Sequence, residues 1–216
     1  MNFFKFFSPN LSILRTFQIL RMSKIHIKGD CIEFGSKEEL NKNFFFFSKF
    51  NENSKITFSN LESKNKSFEI IDLTEKIKIR YRYNSIIIFN VLEHVSDFKI
   101  ASRNLYKLLK KNGQLIGSTP FLYRVHGAPN DYLRYTQDFL FEKFKLAGFR
   151  NIRIEHLGYG PFLASFSILH GILKFLPFIY QFTLLLALII DFVLIKISTN
   201  KINKIYPVGY FFILKK

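Results

Sequence analysis

Apolar residues along this chain follow two different periods and then saturate one block near the C-terminus. Ile86-Ile87-Ile88-Phe89 is a continuous apolar run, which predicts a strand covered on both faces. It leads into Glu93 and His94. Ser96 or Asp97 can cap a following helix, whose face is marked by Phe98, Ala101, Leu105 and Leu108 at steps of three and four. Gly113 is expected to supply the left-handed stop, Leu115-Ile116 to begin a second strand and Pro120 to end it. Strand, helix and strand in this span predict a right-handed βαβ unit. Its two parallel strands bring their polar ends to one rim, where open α/β sheets bind ligands.

The same reading extends in both directions. Residues 9–25 have the pattern of a basic amphipathic helix, with Leu11, Leu14, Ile19 and Met22 on the apolar side and Arg15, Arg21 and Lys24 among the polar positions. Residues 30–35, 55–58 and 68–72 predict three short strands, and the Phe-rich tract 41–54 a helix or loop packed on the sheet. Thr136 can cap a helix bearing Phe139, Leu140, Phe144 and Ala147 and stopped by Gly148. Ile152 and Ile154 alternate with polar neighbours as a strand, and residues 210–214 predict the last one.

Residues 161–198 break the alternation, being almost wholly apolar and helical in character. The uncharged run from Phe175 to Ile190 is short of the ~18–20 residues a spanning helix needs, and Lys174, Pro177 and Asp191 interrupt or bound it. A helical pair packed on the domain, a helix lying in a membrane interface and a true span all fit. The segments are therefore a basic N-terminal helix (1–28), an α/β core (29–160), an apolar helical insertion (161–204) and a closing strand (205–216).

Composition narrows the partners. At 216 residues, 48% of them hydrophobic, the chain can bury one sizeable core. Cys31, the only cysteine, excludes a disulfide framework and reads as a small apolar strand residue. The net charge of +16 invites a nucleic-acid partner. However, Phe, Ile, Lys and Asn are all abundant and Trp is absent, a pattern of A/T-rich codons, and no nucleic-acid motif accompanies the charge. None is expected. Residues 1–29 and those after Asp191 contain no acid, and basic ends beside apolar segments suit an anionic membrane surface. Residues 2–7 are broken by Lys5 and lack a cleavage site, so they do not read as a signal peptide. The expected location is cytoplasmic, with attachment to the cytoplasmic face of a membrane.

The motifs together resemble class I S-adenosylmethionine-dependent methyltransferases of the type 11 group. Asn90-Val91-Leu92-Glu93-His94-Val95 is similar to that group's fourth-strand ending, Leu108 to Leu115 to its turn into the fifth strand, and Ser118-Thr119-Pro120-Phe121 to the end of that strand. His126-Gly127-Ala128-Pro129-Asn130-Asp131-Tyr132 with Arg134-Tyr135-Thr136 resembles a subgroup signature. The resemblance implies a doubly wound, mostly parallel Rossmann-like sheet, with the apolar helices inserted before its last strand. It implies S-adenosylmethionine as cofactor, held by Glu33, Gly35, Asn60, Asp72 and Asn90. Ser36-Lys37-Glu38 stands where the family has further glycines, and Asn60, with Glu62 two residues on, where it has a ribose-binding acid.

Within that frame the expected chemistry is in-line attack on a sulfonium methyl, governed mainly by alignment. A hydroxyl acceptor must lose a proton. His126 is the candidate base with Asp131 orienting it, and His94 is the second candidate. Asn130, Tyr132 and Arg134 are candidate acceptor-binding residues on the rim loop. The spacing of His94, His126 and Asp131 fits no compact ligand motif, so no metal is expected. The acceptor is expected to be a small molecule or a lipid- or glycan-related one near a membrane. A non-catalytic binding or scaffolding protein of the same fold is the alternative, favoured by the altered glycine loop.

Overall fold

The computed structural model describes residues 8–51, 53–77, 81–127, 130–198 and 201–216. The reading of residues 2–7 lies outside these, as do Ala128 and Pro129 of the rim loop. In chain order the elements are α1 (Ile13–Met22), β1 (His26–Ile27), β2 (Cys31–Phe34), β3 (Lys49–Phe50), β4 (Ile56–Asn60), β5 (Glu69–Ile70), β6 (Tyr83–Phe89), α2 (Phe98–Leu108), β7 (Leu109–Pro120), α3 (Gln137–Ala147), β8 (Arg150–Leu157), α4 (Pro161–Leu173), α5 (Pro177–Ile197), α6 (Ile202–Ile205) and β9 (Gly209–Lys215). Single 3-10 turns occupy Leu40–Lys42, Phe44–Phe47 and Leu92–His94.

Seven strands form one sheet in the order β5-β4-β2-β6-β7-β9-β8, while β1 and β3 pair separately. Pairing is parallel from β5 through β7. The apolar run decides the middle of the sheet: Ile86, Ile87 and Ile88 are each fully buried, as a strand with both faces covered requires. The order reverses at β2, which has β4 on one side and β6 on the other. The result is the doubly wound, mostly parallel Rossmann-like sheet, with α4 and α5 inserted before its last strand. Cys31 is buried in β2 as an ordinary strand residue.

Two local expectations give way to close-range sterics. The left-handed residue between α2 and the body of β7 is Asn112, at φ 62°, and not Gly113. Glycine is needed at 113 for room, since a Cβ there would stand 2.9 Å from the Lys110 carbonyl and 3.1 Å from that of Asn84. The tract 41–54 forms two 3-10 turns and the short strand β3, fixed by Phe44 stacking on Phe89 at 3.8 Å and Phe45 on Phe50 at 4.5 Å. The caps fall as the residue types dictate. Asp97 accepts from the Ile100 amide at 3.0 Å, and Thr136 from the Phe139 amide at 3.3 Å. Gly148 ends α3 at φ 106°.

The chain divides into two compact units. One comprises Arg21–Thr119, His126–Glu155 and Phe211–Lys216. In it Phe98 meets Phe144 at 5.3 Å, and Phe144 reaches Phe212 at 5.1 Å, tying α2 and α3 to β9. The other comprises the described residues up to Leu20, Pro120–Val125 and His156–Tyr210. Its core gathers Ile13, Leu163, Phe166, Tyr180, Leu184 and Ala187. Burial pushes the Tyr180 phenol up to about 12.

In this second unit Asp191 does not bound an apolar run. Helix α5 is continuous through it for 21 residues. The Asp191 side chain is fully buried and accepts from the Phe162 and Leu163 amides at 3.0 and 2.8 Å, capping α4 from a neighbouring helix. A Cβ at Gly160 would collide with that carboxylate. With its one acid turned inward, α5 is long and apolar enough to cross a membrane by length and composition, at a mean hydropathy of 2.4.

Candidate active site

At the point where the strand order reverses, the C-terminal ends of β2, β4 and β6 open onto a cleft of about 380 Å³. Gly35, Asn60, Asp72 and Asn90 line one part of it, and His94, Asn130 and Tyr132 another. Four of the five expected cofactor residues are thus brought to one cavity. Gly35 adopts φ +69°, and a Cβ there would stand 2.5 Å from Val91 Cγ2, so both the backbone conformation and the close approach to Val91 require glycine. Asn90 also sits in the left-handed region, at φ 55°, and its amide donates to the Ser118 carbonyl at 2.9 Å.

Glu33 is placed differently. Its carboxylate is buried and accepts from the Phe44 and Phe45 amides at 2.7 and 2.8 Å, holding the first turn of the Phe-rich segment; it does not line the cleft. Ser36 is buried with its hydroxyl donating to the Glu33 carbonyl at 2.6 Å, and it occupies space that a glycine loop would leave open. The Asn60 carboxamide donates to the Ser36 carbonyl at 3.1 Å and accepts from the Leu61 amide at 2.9 Å. Asp72 directs one carboxylate oxygen to the Thr74 amide and hydroxyl, at 2.7 and 2.6 Å.

The rim loop is organised around Asp131. Its carboxylate accepts from the His126 amide at 2.9 Å, lies 3.4 Å from His126 Nδ1 and forms a two-pronged ion pair with Arg134. The guanidinium holds Asp131 well below the usual carboxylate range, and the same pair raises Arg134. Arg134 therefore faces Asp131. Tyr132 and Asn130 stay exposed at the cleft, with the Asn130 carboxamide donating to the Tyr132 hydroxyl at 3.1 Å. The loop is stitched to the end of β6 by the Tyr132 amide donating to the Glu93 carbonyl (2.8 Å) and the Tyr135 hydroxyl donating to the Leu92 carbonyl (2.7 Å). Burial raises the Tyr135 phenol, so it remains a donor.

These tethers bring His94 and His126 edge to face, with ring centroids 4.9 Å apart. His94 Nδ1 pairs with the Asn130 carbonyl. Beneath them Glu93 is fully buried, and neither carboxylate oxygen has a hydrogen-bond partner among the described residues. Burial pushes its pKa up to about 8. No role was expected of Glu93 beyond its place at the end of the strand. Its side chain instead lies under the two histidines, and the only sequence signal was an acid at the end of an apolar strand.

No family model matches the chain, and no curated protein matches it. Solved structures do. An S-adenosylmethionine-dependent methyltransferase from Archaeoglobus fulgidus is 14% identical over all of both chains, at a TM-score of 0.55. Phosphoethanolamine N-methyltransferase 2 from Haemonchus contortus, solved with S-adenosylmethionine, is 14% identical over 92% of this chain and 51% of its own, at 0.53. This chain therefore spans about half the length of the Haemonchus enzyme. The cyclase SpnF is 11% identical over 94% of this chain and 82% of its own, at 0.52. The sheet order, the cleft at the reversal and these likenesses define the class I methyltransferase fold. SpnF is a reminder that the fold carries more than one chemistry.

Proposed function

We propose that the protein binds S-adenosylmethionine in this cleft and transfers its methyl group to a small acceptor held at the rim loop. The observation that carries the reading is the convergence of Gly35, Asn60, Asp72 and Asn90 with His94, Asn130 and Tyr132 on one cavity at the strand-order reversal. The residues fit the cofactor where fit can be tested: Gly35 lines the cleft with a positive φ, and any side chain there would collide with Val91, another lining residue. Gly35 and Asn90 offer main chain, and the Asp72 carboxylate offers a hydrogen-bond acceptor at the lip. The bound cofactor would supply an electrophilic sulfonium methyl. Asn130 and Tyr132 orient the acceptor, and His126, held by Asp131, takes the proton of a hydroxyl acceptor. Calorimetric titration of the full chain with S-adenosylhomocysteine tests this. Saturable one-site binding that is lost in Gly35→Ala supports it, and no heat at millimolar ligand overturns it.

A non-catalytic binding or scaffolding role is the second reading. It is favoured by Ser36 filling the loop and by the Asn60 carboxamide being engaged with Ser36 and Leu61. Binding of S-adenosylhomocysteine without turnover of any acceptor would select it.

We further propose that α4 and α5 hold the protein on the cytoplasmic face of a membrane, and that the acceptor is lipid- or glycan-related. Phe178 is 90% exposed, and Phe175, Ile172 and Phe182 lie beside it on the surface. Lys174, Lys196, Lys201 and Lys204 flank them and suit anionic headgroups. Flotation with vesicles of mixed neutral and anionic lipid is expected to carry the protein upward. A monodisperse, detergent-free monomer that stays at the bottom of the gradient would overturn the assignment.

A further inference from the structure

We propose that Glu93, His94 and His126 form a binding site for a divalent transition cation of the manganese-to-zinc series. One ligand atom from each residue lies within 4.8 Å of the others. Glu93 Oε1 and His94 Nε2 stand 3.8 Å apart. Two donors on one zinc at the tetrahedral angle are about 3.4 Å apart, given metal–ligand distances near ~2.1 Å. The cluster closes around a cation by a modest contraction of side chains at the chain's own rim.

Three features make this a built site and not a chance grouping. First, Glu93 is fully buried with both oxygens unpartnered among the described residues, and an unpaired buried carboxylate is costly unless neutralised or coordinated. Second, each histidine turns its Nδ1 to an oxygen: His94 to the Asn130 carbonyl and His126 to the Asp131 carboxylate. That is the outer-shell arrangement which fixes the tautomer and presents Nε2 as the coordinating nitrogen. Third, Asp131 is itself held by Arg134, so the support for His126 is rigid. Two imidazole nitrogens with one carboxylate oxygen suit the borderline divalent metals better than calcium or magnesium.

The site has an exit toward the chemistry. His94 belongs both to the cluster and to the lining of the cleft, so the cluster adjoins the cleft. A hydroxyl or phosphate oxygen of the acceptor could complete the shell. That use of the metal rests on the methyl-transfer reading; the metal site itself does not. Coordination and proton abstraction are alternative uses of the His126 ring, so the metal-loaded protein is expected to lose the base assigned above and to rely on the cation to acidify the acceptor.

The test is calorimetry on the chelator-stripped full chain, titrated separately with zinc chloride and manganese chloride. One-site binding is expected. His94→Ala and His126→Ala are expected to weaken it by more than the about 10–100-fold that outer-shell changes such as Asp131→Asn cost, while His26→Ala leaves it unchanged. Glu93→Gln keeps the side-chain shape and is expected to weaken it with an unaltered circular dichroism spectrum. Should a variant misfold, the cobalt-loaded wild-type chain gives the same answer: a mixed nitrogen and oxygen site has visible absorption distinct from that of hydrated cobalt. No binding, binding insensitive to all three substitutions, or a cobalt spectrum equal to that of the hydrated ion each overturns the proposal. S-adenosylhomocysteine titrated into the same stripped protein reports on the proposed function independently of the metal.

Discussion

Gly35 lines the cleft and His126 stands against its His94 wall, and each makes a sharp demand on its position. At Gly35 an alanine must hold φ +69° and place its Cβ 2.5 Å from Val91 Cγ2. Overpacking of this kind costs about 1–3 kcal/mol. Gly35→Ala is therefore expected to lower the thermal midpoint and abolish S-adenosylhomocysteine binding, and a second change, Val91→Ala, is expected to recover part of the midpoint. His126→Ala is expected to lower turnover by about 10²–10⁴-fold with cofactor affinity unchanged. Asp131→Asn goes further than a change of tautomer, because Asp131 also anchors the His126 amide and Arg134. The acceptor KM is expected to rise as kcat falls. Sequence alone revealed the strand-end histidines and the rim loop, because an apolar strand followed by polar residues is a local pattern. The uses of Glu33 and Glu93 were not legible. Glu33 is taken by amides eleven and twelve residues away, and the isolation of Glu93 is a fact about burial that no spacing encodes.

Among the elements, α4 and α5 behave as a pair because one carboxylate serves both. Removing it in Asp191→Ala leaves the Phe162 and Leu163 amides without their acceptor at the start of a helix. Losing such a partner costs about 1–3 kcal/mol. The expected result is a lower melting temperature by circular dichroism, with a smaller drop in Asp191→Asn, which retains one carbonyl oxygen. An aspartate after a long apolar run looks like a helix boundary when only neighbours in sequence are considered, and its partners are 28 and 29 residues back. The same limit applied near the start of β7, where Asn112 took the left-handed conformation that Gly113 was expected to adopt. The competing requirement there, room beside the Lys110 carbonyl of the same strand and the Asn84 carbonyl of β6, comes in part from another strand.

For the molecule as a whole, one charge cluster ties three distant stretches of chain. Asp30 accepts from the Tyr81 hydroxyl and pairs with Lys110 at 3.0 Å. The Tyr81 hydrogen bond, then that of Lys110, lowers the Asp30 pKa below its ordinary value of 3.8. A carboxyl lowered on folding stabilises the fold above its unfolded pKa, and that contribution is lost as pH falls through the folded one. Stability is therefore expected to decline on acidification below about 4, and Asp30→Asn to flatten that limb in urea melts taken across pH. The sheet also carries a constraint of timing. β9 follows β8 in the chain after the stretch that carries α4, α5 and α6, yet it lies between β7 and β8. During synthesis β8 leaves the ribosome before the strand that will join it to the rest of the sheet. Until β9 emerges, β7 has an open edge and β8 no partner, the state most prone to wrong pairing between chains. The apolar helices α4 and α5 are made in that interval, so their exposed apolar faces are present just when the sheet is least able to close.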